Sequence, residues 1–260
     1  LTRAGVAPEV SSIWPRGVWS ISLSRTRICS ILLRSSPVDP WASTADTSPM
    51  HQWLRGKFIV FEGPDGSGKS TQLARFAADA SAAGLEVIEV REPGGTSVGE
   101  QIRKVLLDPE NTDMTIRCEM LLYMASRAQL VEQQIGPAIS RGDLVLADRF
   151  VASTCAYQGT AGGLPMEEIL EVAAVATNHQ MPDLTVIFDV DEVTAAKRLN
   201  PLLDRMEQKG AEFHRRVRDG YHALFAADPE HVLLIDATGD ADSVYARATA
   251  QIEAKLTARC

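Results

Sequence analysis

Eight consecutive residues, Gly63-Pro64-Asp65-Gly66-Ser67-Gly68-Lys69-Ser70, fit the spacing G-x-x-x-x-G-K-[ST] at every fixed position. Glycines placed this way let the backbone curl until several N–H groups point at one spot, which suits phosphate oxygens. The lysine reaches the outer phosphates as a point charge, and the hydroxyl of Ser70 can ligate Mg²⁺. Phe58-Ile59-Val60-Phe61 before the turn reads as a strand, and Thr71 to Ala83 after it reads as a helix. That setting adds the positive end of a helix to the cradle. The implied chemistry is the binding of ATP or a similar triphosphate with Mg²⁺. What the triphosphate is used for lies outside this motif.

A second polar group closes another apolar run, Leu144-Val145-Leu146-Ala147-Asp148-Arg149-Phe150. An aspartate at the end of a buried strand is placed to hold Mg²⁺ or its water shell. Arg149 beside it would face the phosphate turn and suits a second anion. Taken alone, the pair fits a simple strand-end turn equally well.

These residues need a scaffold, and the chain supplies a regular one. Strands are expected at Lys57–Glu62, Leu85–Arg91, Leu144–Ala147, Leu184–Val190 and His231–Ile235, all short apolar runs of the kind buried on both faces. Helices are expected at Ser70–Ala83, Val98–Leu107, Thr115–Arg141, Pro165–Asn178, Glu192–Leu199, Glu212–Ala226 and Asp242–Leu256, with Gly84, Gly142 and Gly239 as stops. This alternation predicts an α/β fold of the P-loop NTPase type: a five-stranded parallel sheet with helices on both faces. The active crevice then lies at the C-terminal edge of the strands.

The 260 residues carry a net charge of −8, which disfavours a general nucleic-acid binder, and no apolar run reaches membrane-span length. Cys29, Cys118, Cys155 and Cys260 are scattered, fitting reduced cytoplasmic thiols better than a disulfide framework or a zinc site. His214, before Arg215-Arg216, reads as part of a solvated helix face. Residues 1–49 differ from the rest. They hold Arg3, Arg16, Arg25, Arg27 and Arg34, no lysine and many serines, with no sustained periodicity. They are expected to be a poorly ordered extension, either a transit-type leader or sequence upstream of a working start at Met50. The functional domain is expected to span residues 50–260.

Further segments complete the pattern: Arg91-Glu92-Pro93-Gly94-Gly95-Thr96, then Gly99-Glu100-Gln101-Ile102-Arg103, then Leu122-Tyr123-Met124-Ala125-Ser126-Arg127, and Ser153-Thr154-Cys155-Ala156-Tyr157-Gln158-Gly159. In this order, with the phosphate turn, the core from about Met50 to Leu256 resembles the bacterial-type thymidylate kinases, a branch of the nucleoside-monophosphate kinases. The resemblance implies phosphoryl transfer from MgATP to dTMP, giving dTDP for dTTP synthesis. Through it, Arg149 and Arg103 match positions that grip the acceptor phosphate, with Arg91 and Glu92 beside them. Tyr123 matches the position that stacks on the base, usually Phe. Arg127 matches the donor to the base O4, and Thr154 and Gln158 match polar contacts to the base. Asp65 matches an acidic position near the sugar 3′-OH and the metal, and Tyr157 packs near the deoxyribose. Uracil presents the same edge, so dUMP is expected as a weak substrate.

The catalytic set expected is Lys69, Arg149 and an arginine from a mobile lid. The phosphate turn has no arginine between Gly63 and Lys69, so the last cation falls to Arg198-Leu199-Asn200-Pro201-Leu202-Leu203-Asp204-Arg205-Met206-Glu207-Gln208. Arg205 is the candidate and Arg198 the reserve. Relatives commonly form homodimers, and the same is expected here. Rival readings are a deoxynucleoside kinase, a UMP or CMP kinase, and a GTP-driven switch. The switch lacks N-K-x-D, and the D-x-x-G outside the phosphate turn, Asp236 to Gly239, follows the last strand.

Overall fold

The computed structural model describes residues 53–198 and 205–258. The expected extension, residues 1–49, and residues 199–204 of the expected lid lie outside the described residues. Among the described residues, five parallel strands form one sheet: β1 (Phe58–Glu62), β2 (Val87–Arg91), β3 (Leu144–Asp148), β4 (Leu184–Asp189) and β5 (Val232–Asp236), in the order β2-β3-β1-β4-β5. β1 pairs with β3 through Phe58↔Val145 to Phe61↔Asp148, and with β4 through Ile59↔Leu184 to Glu62↔Ile187.

Alternation along the strands builds two cores. Phe58, Val60, Val145, Ala147 and Ile187 face one side. Ile59, Phe61, Leu144, Leu146, Val186 and Phe188 face the other. Both sets are buried, so the strands read as unbroken apolar runs. Beneath the second face lie α1 (Lys69–Ala82), through Leu73, Phe76, Ala77 and Ala80, and α9 (Ala241–Thr257), through Val244, Ala248, Ile252 and Leu256. Those spacings of three and four residues are the apolar stripe of a helix on a sheet.

The other face carries α3 (Ile116–Leu130), α6 (Met166–Thr177) and α8 (Ala211–Ala227). Alongside run α2 (Ser97–Leu107), α4 (Gly136–Arg141), α5 (Val151–Thr154) and α7 (Glu192–Arg198). Thr96 caps α2 by accepting from Gly99 N at 2.9 Å, and Thr115 caps α3 at Cys118 N. Gly142 ends α4 at φ 87°, a left-handed turn that glycine takes freely.

Two differences from the sequence reading are informative. The expected single helix Thr115–Arg141 is divided by a π-helical turn, Val131–Ile135, just before Pro137 at the start of α4. A proline has no N–H for the ladder, and a widened turn accommodates its loss. Second, α5 and the π-helical stretch Cys155–Ala161 were not anticipated. Nearly every residue from Val151 to Ala161 is buried, so no polar face marks the helix period.

Candidate active site

The strand order reverses its growth at β1 and β3: β2 lies beyond β3, while β4 and β5 lie beyond β1. The phosphate turn follows β1, and Asp148-Arg149 ends β3, so both project at this switch point. Within the turn, Gly63, Gly66 and Gly68 have φ of 139°, 78° and 86°. A Cβ on Gly63 would stand 2.5 Å from Phe188 O, so the turn also needs the missing side chain for space. Gly68 caps α1 without a side-chain bond, leaving the first N–H groups of the helix open to an anion. Ser67 Oγ is buried there with no hydrogen-bond partner among the described residues.

Lys69 opens α1 and lies 3.6 Å from Asp65 Oδ1 and 3.9 Å from Asp148 Oδ1. Burial, then the Arg149 charge, push its ammonium below the usual lysine range, against the pull of Asp65, Asp148 and Glu62. Ser70 Oγ donates to Asp148 Oδ2 at 2.5 Å. Hydroxyl and carboxylate form a hard oxygen pair of the kind that shares Mg²⁺ with phosphates and water.

Arg149 has φ 72°, rare for a non-glycine residue. Its own N–H donates to Phe61 O at 3.0 Å, and the next, Phe150 N–H, donates to Glu62 Oε1 at 2.8 Å. The guanidinium reaches Asp65 Oδ1 at 2.5 Å, Ser153 Oγ at 3.0 Å, Tyr221 OH at 3.2 Å and Tyr157 OH at 3.3 Å. Burial opposes its charge, yet Asp65 leads the groups that hold its pKa well above the ordinary arginine value. Burial alone would raise the Asp65 carboxyl, but Arg149 and Lys69 hold it far below the carboxylate range. Tyr157 also donates to Asp65 Oδ2, at 3.2 Å.

This cluster lines a cavity of about 430 Å³. Asp65, Lys69, Ser70, Asp148 and Arg149 share the lining with Tyr123, Thr154, Tyr157 and Gln158. Arg91, Glu92, Arg103, Met206 and Glu207 also contribute to it. Arg103 donates to Pro93 O at 2.8 Å, and Arg91 to Glu100 Oε1 at 2.9 Å.

Three expected residues sit otherwise than a direct ligand contact would require. Arg127, 1% exposed, does not line the cavity. Its Nε donates to Glu92 Oε2 at 2.8 Å and Nη1 to Thr154 Oγ1 at 3.1 Å, so it stands behind the wall and braces it. Arg205 pairs with Glu119 at 2.7 Å and donates to Leu106 O at 2.7 Å, also off the cavity lining. Arg198 lies on the opposite side of the phosphate turn. There it lines a separate cavity of about 280 Å³ with Ser67, Gly68, Thr71 and Gly239, and donates to Ala237 O at 3.3 Å.

The family model "Thymidylate kinase" matches residues 61–247. The chain belongs to the thymidylate kinase family. Similar members include the thymidylate kinase of an Exiguobacterium species, 47% identical over 71% of this chain and 88% of that protein. That of Caldanaerobacter subterraneus is 44% identical over 78% of this chain and 98% of that protein. Among solved structures, thymidylate kinase from Ehrlichia chaffeensis matches with a TM-score of 0.63 and 30% identity, over 76% of this chain and 98% of that one.

Three residues of this thymidylate kinase family site escaped the sequence reading. Glu62 is fully buried and accepts from Phe150 N, Ser153 N, Ser153 Oγ and Tyr221 OH, at 2.8, 3.0, 2.6 and 2.9 Å. Ser153 and Tyr221 are the same hydroxyls that receive Arg149 Nη1. The only signal was a glutamate ending an otherwise apolar strand, a charge that burial would forbid without partners.

Proposed function

We propose that this chain transfers the γ-phosphoryl group of ATP to dTMP, giving ADP and dTDP, a step of dTTP synthesis. One observation carries the reading: a single cavity beside the phosphate turn is lined both by Lys69 and Arg149 and by Tyr123, Thr154 and Gln158. Cations suited to phosphate groups thus share one cavity with an aromatic ring and uncharged polar side chains. Its volume falls within the range of about 300–1,000 Å³ typical of small-ligand sites.

The acceptor phosphate carries its second charge at neutral pH, because a phosphate monoester has a second pKa of about 6. The attacking oxygen therefore needs no strong base. The depressed Asp65 carboxylate is a poor proton acceptor and suits such a substrate. Catalysis is then alignment and charge neutralisation. Lys69 acts from the donor side and Arg149 from the acceptor side. Asp65 holds both cations and leaves their outer faces to the ligands. Ser70 and Asp148 would hold Mg²⁺, which when bound neutralises charge on the donor phosphates. Arg103 and Arg91 extend the anion-binding wall, Tyr123 covers the base, and Tyr157 sits against the sugar. Arg205, with Arg198 as the reserve, would supply the lid cation.

The proposal includes a cytoplasmic homodimer that accepts dUMP weakly. Its support is the free thiols of Cys118 and Cys155, and exposed Val98 and Val105 one heptad apart on α2 beside exposed Leu121 on α3. Among the described residues no helix is long and apolar enough to cross a membrane.

The test is ADP release measured over a panel of nucleoside monophosphates and nucleosides. dTMP should give the highest kcat/KM, dUMP a lower one, and thymidine none. Faster turnover of thymidine or of CMP would overturn the assignment.

A further inference from the structure

Glu119 stands on α3 four residues before Tyr123 and eight before Arg127, so the three share one helix face. Its side chain is 1% exposed, and four polar contacts converge on it. Gln158 Nε2 donates to Oε1 at 2.8 Å. Lys209 Nζ reaches Oε1 at 3.1 Å and Oε2 at 3.0 Å, and Arg205 pairs with Oε2 at 2.7 Å. Burial works against the charge, yet the Gln158 bond, then Lys209 and Arg205, hold the pKa below the ordinary carboxylate value. The group is ionised at neutral pH and so accepts hydrogen bonds only.

An acceptor-only partner decides which way round an amide sits. Nε2 of Gln158 must face Glu119, and the carbonyl Oε1 is the end left toward the cavity that Gln158 lines. We infer that Glu119 is a positioning residue for base selectivity: it locks the Gln158 carbonyl toward the ligand, so that the site takes a pyrimidine with a hydrogen on N3 and refuses one whose N3 is bare. The inference rests on the reading of this cavity as a pyrimidine-monophosphate site.

Thymine and uracil carry that hydrogen. Cytosine presents a lone pair at N3, and against the Gln158 carbonyl two acceptors would meet in a buried place. Sites that hydrogen-bond their substrate discriminate most strongly in this situation. Arg127 is engaged by Glu92, Met124 and Thr154 behind the wall, which leaves more of the selection to Gln158. The same carboxylate secures Arg205, the candidate lid arginine, and Lys209, the first residue after the expected lid segment. The group that orients the base reader therefore also holds the C-terminal end of that segment.

The test uses the full chain with Glu119→Gln. Its amide can donate or accept, so Gln158 becomes free to turn over. The probes are dUMP and dCMP, which differ at the N3–C4 edge of the base. The ratio of their kcat/KM values should fall roughly tenfold or more. The change should lie in KM for the monophosphate, with KM for ATP unaltered. Gln158→Met should lower the ratio too, and adding Glu119→Gln to it should lower the ratio no further, because the two act through one contact. A native ratio in Glu119→Gln, or a further fall in the double variant, overturns the inference. Should Glu119→Gln not fold, Glu119→Met removes the acceptor at similar volume and must shift the ratio the same way; a native ratio there overturns it equally. A native chain that turns over no pyrimidine monophosphate would instead sink the functional reading, so the two failures are distinct.

Discussion

Arg149 occupies a left-handed backbone conformation that costs of order 1–3 kcal/mol, and it stays there because its neighbours leave it nowhere else to go. Glu62 accepts the two backbone N–H groups that follow, Phe150 and Ser153, with one oxygen. With the other it polarises the two hydroxyls that receive the guanidinium. Glu62 does not line the cavity; it aims Arg149, which does. Replacing Glu62 by Gln removes the oxygen that accepts from both hydroxyls, and a buried donor left without its acceptor costs about 1–3 kcal/mol. Glu62→Gln should therefore lower kcat by about 10²-fold, the scale of a misplaced catalytic group, with little change in KM for ATP. Arg149→Ala should lower kcat by about 10³-fold or more, the lower range for a charge-shielding arginine. Steady-state kinetics with both substrates varied decides it, and native kcat in Glu62→Gln would remove the residue from the mechanism. Arg149 was legible in the sequence because it stands beside a strand-end aspartate. Glu62 was not, because its partners lie 88 to 159 residues away and only the fold brings them together.

At the scale of elements, the cradle is only as firm as the helix that begins it. Lys69 and Ser70 form the first turn of α1, and the helix is seated under the sheet by Leu73, Phe76, Ala77 and Ala80. Phe76 packs against Phe61 at a centroid distance of 5.9 Å, and Phe61 stacks on Phe188 at 5.5 Å. That trio links α1 to β1 and β4 directly beneath the phosphate turn. Phe76→Ala removes a fully buried ring, and such truncations cost about 3–5 kcal/mol. Urea unfolding should show that loss; a cost under about 1 kcal/mol would mean the surroundings collapse into the space. α1 was readable beforehand because one of its faces is wet and the other dry. The run from Val151 to Ala161 carries Ser153, Thr154, Tyr157 and Gln158 into the site, and it gave no period because it is dry nearly all round. Sequence pattern finds helices that border water, and this one is threaded through the core.

Over the whole molecule, alternating strands and helices announced a parallel sheet covered on both sides, and the sheet has that form. The β2-β3-β1-β4-β5 order was not legible, since periodicity says which face is buried and nothing about which strand is a neighbour. Carboxylates of opposite pH behaviour lie in the cavity lining and just behind it, and the sign of each can be worked out. Asp65 and Glu119 have depressed pKa values, so their contribution to stability is complete above the ordinary carboxylate range and is lost as the pH falls through it. Glu92 runs the other way. Burial, only partly offset by Arg127, raises its pKa from 4.5 to about 7. Between those values the folded chain keeps a proton that the unfolded chain releases, so this contribution weakens as the pH rises. One such group changes stability by at most about 1.4 kcal/mol per pH unit. Urea midpoints should therefore decline from pH 5 to pH 7.5, and Glu92→Gln, which cannot ionise, should flatten that decline. Because the substitution also weakens the partner of buried Arg127, the carboxyl carbon of Glu92 in the native chain provides a second reading. Its NMR titration should centre near pH 7. A midpoint near 4.5 would show that Arg127 outweighs burial, and the decline in stability would then have to come from other groups.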